Sequence, residues 1–243
     1  LPQLTPALQP LHSWITGLEH SNMNRPGGRA GRLQAAVANF INLELEEILE
    51  GRSNGTRLTY PDRHPGTGGS DAKADQREAS VGGWWSEQAK PKQWEVQWFA
   101  LRITKARFQW AYDKVSPQRR IAALELLGTL FLLRLAAKNV TAAELDVTVR
   151  GVTDSQCNSF ALLKNYSRKL PLAAVHMELM ATAGFFSIWP RISHVPREQN
   201  TWADDLTEFK TEGFNPRLRW EPRLTPDFFF VLDKLLDTPG HAS

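Results

Sequence analysis

Four carboxylates in this 243-residue chain have settings that a merely solvent-facing acid does not need: Asp71, Glu125, Asp154 and Asp204. Asp154 closes the run Val147-Thr-Val-Arg-Gly-Val-Thr153, whose roughly alternating β-branched residues read as a buried strand. An acid at the carboxyl end of a sheet strand stands where open α/β sheets place their ligands. Its other reading is as a cap, with Ser155, Gln156 and Asn158, for a helix that follows. Glu125 interrupts the apolar stretch Ile121-Ala-Ala-Leu-Glu-Leu-Leu127, where a carboxylate needs either a partner such as Arg120 or a metal ion. Brought together, four carboxylates would repel one another strongly, and divalent cations would resolve that repulsion. Oxygen-only ligands with no His or Cys cluster suit Mg²⁺, with Mn²⁺ able to substitute. Two such ions roughly 4 Å apart activate a water and stabilise the leaving oxygen when a phosphodiester is cut.

Four separate elements must position these acids. A strand is expected around Asp71, a polar turn at Asp75 to Glu78, a second strand through Val81 to Trp85, and a third from Trp94 to Thr104. Together they form an antiparallel meander. The stretch Pro65-Gly-Thr-Gly-Gly69 is poor strand material, so the first strand is expected to be short or irregular. Gly82-Gly83 inside the second implies a bulge or a close backbone approach, and one of Trp84 and Trp85 is expected in the core. Pro117 to Lys138 has the strongest helical pattern, with Ser116 as its cap and Ile121, Leu124, Gly128, Phe131 and Leu135 on one stripe. After Asp154 come a short helix at 160–165, a longer one from Leu170 to Phe186, and a last strand from Ile188 to Val195. A polar turn then leads to a helix carrying Asp204, with Asn200 placed to cap it. Asp75 and Asp205 are the nearest rivals of Asp71 and Asp204; Asp75 falls in a turn and Asp205 on another side of its helix.

Composition limits the alternatives. A 42% hydrophobic share supports one sizeable core, and net charge +3 with a pI of about 9.1 is compatible with a polyanionic partner. The single cysteine, Cys157, excludes an internal disulfide and a Cys-rich zinc site and fits a reducing compartment. With no apolar run of roughly 18 residues and no signal-peptide pattern, the expectation is an intracellular protein, in cytoplasm or nucleus, neither secreted nor bound to membrane. The opening on Leu1 suggests a piece of something longer. By composition and pattern the chain divides into a helical tether at 1–51, a flexible linker at 52–66, an α/β domain at 67–210, and a tail at 211–243 whose amphipathic helix, Phe228 to Leu236, should dock.

Four motifs in this order resemble the ribonuclease H domain at the carboxyl end of retrotransposon reverse transcriptases, tyrosine-recombinase-type and related elements of protists above all. They are Ser70-Asp-Ala-Lys-Ala74 with the Gly-Gly-Trp-Trp85 that follows, Ile121-Ala-Ala-Leu-Glu-Leu-Leu127, Val152-Thr-Asp-Ser-Gln-Cys-Asn158, and His194-Val-Pro-Arg-Glu-Gln-Asn-Thr-Trp-Ala-Asp-Asp205. The resemblance covers about residues 67 to 210, and the helices before residue 52 look like the tether that joins polymerase to nuclease. It implies a ribonuclease H-like fold: a five-stranded mixed sheet, order 3-2-1-4-5, flanked by helices. It also implies roles, with Asp71 holding both ions, Glu125 and Asp154 one, and Asp204 the other. The implied partners are an RNA–DNA hybrid and a polymerase domain of the same polyprotein. No Tyr-x-Asp-Asp motif is present, so the chain itself is not expected to copy nucleic acid. Cellular relatives place a histidine in the loop before the last aspartate; here that loop is Pro196-Arg-Glu-Gln-Asn200, and His194 reads as structural.

Grip on a duplex is expected mostly through its backbone. Arg102, Lys105 and Lys164 are candidates for a phosphate track, and Ser155, Asn158 and Asn200 for contacts beside the acids; each is equally explained as a solvated, turn or cap residue. Two other readings keep the same fold. An integrase or exonuclease would want a later glutamate or an Asp-x-Glu in the first strand, which Asp71-Ala-Lys73 lacks. An inactive module would only bind nucleic acid or brace a polymerase.

Overall fold

The hairpin that starts the sheet is closed by one side chain. The Asp75 carboxylate accepts the amides of Arg77 and Glu78 at 2.6 and 2.7 Å, and its own N–H donates to the Glu78 carbonyl. This local turn sets β1 (Thr67–Ala74) antiparallel to β2 (Ala79–Ser86), with Asp71 opposite Gly82. β3 (Gln97–Ile103) returns along β2 after a 3₁₀ turn at Gln93–Glu95. Then come α1 (Gln109–Tyr112), α2 (Ile121–Ala137), β4 (Val147–Thr153), α3 (Leu172–Phe186), β5 (Ile188–His194), α4 (Thr201–Thr207) and α5 (Leu232–Leu236). β4 runs parallel to β1, and β5 parallel to β4. The result is a five-stranded mixed sheet in the order β3-β2-β1-β4-β5, flanked by helices. This is the order that the resemblance implies. The computed structural model describes residues 66–112, 116–139, 147–155, 170–186, 188–225 and 227–236. The expected tether, the linker apart from Gly66, the helix at 160–165, Cys157, Asn158 and Lys164 lie outside the described residues.

Three local expectations need correction, and one pair of alternatives is decided. β1 is neither short nor irregular: it spans eight residues despite its glycines. As the central strand it is hydrogen-bonded on both edges, and that pairing overrides weak intrinsic preference. Gly82 and Gly83 make no bulge, since they continue the register opposite Ala100 and Phe99. Close approach is their reason: a Cβ on Gly82 would lie 2.7 Å from the backbone of Leu206 and Thr207 in α4. α2, read as a helix with one apolar stripe, is buried nearly all round, with Leu126, Leu127, Leu130, Leu132 and Leu133 as inaccessible as Leu124 and Phe131. It lies between the sheet and α3, so no long flank reaches water. Nor do the expected caps act by their side chains: Ser116 and Asn200 hold the N-cap positions without a cap hydrogen bond.

Successive β1 residues face opposite sides, as a strand requires. Ser70 meets Thr129 of α2 at 3.2 Å, whereas the Gly69 Cβ position faces Asn200, just before α4. Most of the core lies on the α2 side, and a smaller cluster of Val96, Trp98, Ala100, Leu206 and Phe214 on the other. Trp85 is core, while Trp84 is half-buried edge-on against Trp202. The tail folds back over this core. Trp220 donates its N–H to the Trp98 carbonyl, and Phe228 and Phe229 pack on Phe131. The tail helix is shorter than expected. Helix begins only at Leu232, because the amides of Phe230, Val231 and Leu232 donate to the buried Glu178 carboxylate at 3.0, 2.8 and 3.0 Å. Among the described residues no helix is long and apolar enough to cross a membrane.

Candidate metal centre

Register brings two of the acids level. Gly69 of β1 pairs with Val152 of β4, so Asp71 and Asp154, each two residues further along parallel strands, stand level just beyond the last β1–β4 pair, with Asp71 still paired to Gly82 of β2. α2 supplies the third acid. It lies so close on β1 that a Cβ on Gly128 would come within 3.1 Å of the Asp71 carbonyl. Glu125, nearly one turn earlier, is thereby delivered beside Asp71 and Asp154. One carboxylate oxygen from each of Asp71, Glu125 and Asp154 lies within 4.8 Å of the other two.

The electrostatics are those of a cluster lacking compensation. Burial, the nearby Asp154, and then Glu125 and Asp204 push the Asp71 carboxyl up to about 7, against the Ala72 amide that donates to it at 2.8 Å. Glu125 is also raised, by burial and by Asp154, although the Ser155 hydroxyl donates to it. Asp154 Oδ1 is buried without a hydrogen-bond partner among the described residues. An orphaned buried oxygen beside two carboxyls of raised pKa is what a hard divalent cation would satisfy. The donor set, oxygen only and on three separate elements, fits such an ion.

Asp204 takes a different position. It lies on α4, close enough to raise the Asp71 pKa, but it is not one of the three converging acids. Its Oδ1 accepts from Arg197 Nη2 at 2.6 Å. Of its rivals, Asp75 is committed to the hairpin turn and Asp205 accepts the Lys210 amide through its backbone carbonyl. The remaining candidates fall in several places. Ser155 is at the centre, on Glu125, with its amide donating to Thr153 Oγ1 at 3.2 Å. Arg102 is exposed at the end of β3, stacked 5.3 Å from the Phe209 ring centroid, and Lys105 is exposed in the turn that follows. Asn200, expected at the substrate, is 2% exposed and donates to the Ser70 carbonyl at 3.2 Å. It ties the start of α4 to β1 and offers no surface to a ligand. His194 is exposed at the end of β5. Sequence reasoning missed Arg197, which read only as part of a polar turn. Its seven-residue separation from Asp204 crosses a helix start, so no helical or strand periodicity pairs them.

No protein-family model matches the chain, and no curated protein matches it by sequence. Solved structures similar to it include the RNase H1 of the halophilic archaeon Halobacterium salinarum, with 19% identity over 58% of this chain and 92% of that one, at a TM-score of 0.39. A compost metagenome RNase H1, LC11, in complex with an RNA/DNA hybrid shares 17% identity over 58% of this chain and 92% of its own, at a TM-score of 0.39. A foamy viral protease-reverse transcriptase in complex with an RNA/DNA hybrid shares 12% over 66% of this chain and 22% of its own, at 0.41.

Proposed function

We propose that this chain is a metal-dependent endoribonuclease that cuts the RNA strand of RNA–DNA hybrids by two-metal-ion hydrolysis, as the nuclease of a retroelement reverse transcriptase. The reading is carried by the meeting of Asp71 within β1, Glu125 on α2 and Asp154 just after β4, with one oxygen of each within 4.8 Å of the others. The order of the four motifs supports the substrate and the reaction. Asp71 would hold both cations, Glu125 and Asp154 one, and Asp204 the other, with Mg²⁺ resident and Mn²⁺ able to substitute. When bound, the cations supply an activated water and stabilise the charge on the leaving oxygen, leaving a 3′-hydroxyl and a 5′-phosphate. The chain's own part is to hold the carboxylates rigidly. Adjacent parallel strands fix two of them, and the Ser155 hydroxyl orients Glu125. Arg102 and Lys105, both exposed, would follow the phosphate backbone. The segment 1–51 would tether the nuclease to its polymerase, and the catalytic unit would span 67–210 with the tail docked on it.

A labelled RNA–DNA hybrid tests this. The full chain is expected to cut the RNA strand in Mg²⁺ and to leave an RNA duplex intact, with Asp154→Asn slower by about a hundredfold or more. Equal cutting by the variant removes Asp154 from the centre. Hybrid binding without cleavage at any divalent ion concentration would instead identify a nucleic-acid-binding module, and digestion from DNA 3′ ends an exonuclease.

A further inference from the structure

We propose that Arg197 is a built-in counter-cation of the acid cluster, which holds Asp204 in the metal-free protein and must be displaced before a cation can settle there. This rests on the metal-binding reading above. Asp204 is the one of the four acids outside the converging group, and the one whose carboxylate is held by a guanidinium, at 2.6 Å. The charges of Asp71 and Asp154 also act on Arg197, less strongly than that of Asp204. The arginine comes from a short 3₁₀ turn, Arg197–Gln199, and its side chain is 66% exposed. Its described polar contact is the one to Asp204. An ion pair so exposed is weak, so a cation arriving in solution can displace it. A buried arginine with several ligands could not be moved so cheaply.

The consequence is an order of filling. Asp71, Glu125 and Asp154, which already face one another, take the first cation. A second cation reaches Asp204 only by releasing Arg197, and binds more weakly for that reason. Arg197 is thus a positioning residue that acts through Asp204.

Mn²⁺ binding by the full chain, followed by the electron paramagnetic resonance of free Mn²⁺ and by titration calorimetry, tests the idea without any turnover. Wild type is expected to bind two ions with separated dissociation constants. Arg197→Ala should leave the tighter constant unchanged and tighten the weaker one by up to about fivefold, the weight of an exposed ion pair. Arg197→Lys, which keeps the charge, should restore the wild-type separation. Thermal unfolding without metal should show Arg197→Ala less stable than wild type, with the gap closing at saturating Mn²⁺. An unchanged or weakened second constant in Arg197→Ala overturns the counter-cation role. If one ion binds and Asp154→Asn abolishes it while Arg197→Ala has no effect, this proposal and the second ion of the two-metal reading fail, and the site of Asp71, Glu125 and Asp154 stands. No Mn²⁺ binding to wild type at all removes the metal-centre reading as well.

Discussion

At the scale of single residues, burial decides which charges the fold tolerates. His176 in α3 is 1% exposed, and neither ring nitrogen has a partner among the described residues. Burial alone holds its pKa down to about 4. A base depressed in this way binds fewer protons folded than unfolded, so stability falls as pH drops below the unfolded value of 6.5 and levels off near 4. The loss should reach about 2 kcal/mol by pH 5. Urea unfolding at pH 7 and pH 5 checks this: His176→Leu should resemble wild type at pH 7 and lose distinctly less on acidification. Equal losses in both proteins would mean that the imidazole is not held neutral. Glu178, two residues on, contributes with the opposite sign. Its pKa is raised by burial, against three amides and Arg134, and it remains in both proteins. Such environments were only half legible. The apolar surroundings of Glu125 were plain in its own heptapeptide, whereas the isolation of His176 depends on elements that its neighbours in sequence do not mention.

The elements explain why the acids meet. Pattern alone located β2, β3, β4, β5, α2 and α3 to within a few residues, because alternation and helical spacing are written in adjacent positions. What pattern could not convey is how closely α2 lies on β1. Gly128 looked like one member of an apolar stripe; in the fold it is the point where the helix touches the Asp71 carbonyl. Gly128→Val is therefore expected to lift α2, draw Glu125 away from Asp71 and Asp154, and weaken Mn²⁺ binding at least about tenfold. A stability loss of about 1–3 kcal/mol should accompany it. Gly128→Ala, whose single methyl asks for a shift of a few tenths of an ångström, should lie between. Calorimetric titration compared with chemical denaturation separates the two effects. Unaltered cation affinity in a stable Gly128→Val protein would show that the close crossing is not what places Glu125.

Across the whole molecule, the tail is fastened by a buried charge network. Glu178 is fully buried and gathers three tail amides, while Arg134 reaches it at 3.2 Å from between the rings of Phe228 and Phe230. Glu178→Ala strips the amides of their acceptor and leaves Arg134, whose side chain is 11% exposed, without its ion-pair partner. The expected cost is about 3–5 kcal/mol. Limited proteolysis should then cut near 227–236 well before the sheet is attacked. Resistance equal to wild type would show that the aromatic packing alone holds the tail. An apolar tail helix destined to dock was readable in Phe228 to Leu236; that its first turn would be surrendered to a glutamate some fifty residues earlier was not.

The chain's own order of residues determined the kinds of element, their succession, and which acids stand at strand ends or inside apolar helix, since each is a matter of near neighbours and of what a strand or helix exposes. Only tertiary structure decided that Asp71, Glu125 and Asp154 converge within 4.8 Å while Asp204 is held by Arg197, that Asn200 is a buried tie, and that Gly128 is a contact point. Parallel pairing, a helix crossing at glycine and an ion pair across a turn join positions whose separation carries no periodic signal. Their distances exist only once burial of the common core has drawn the elements together.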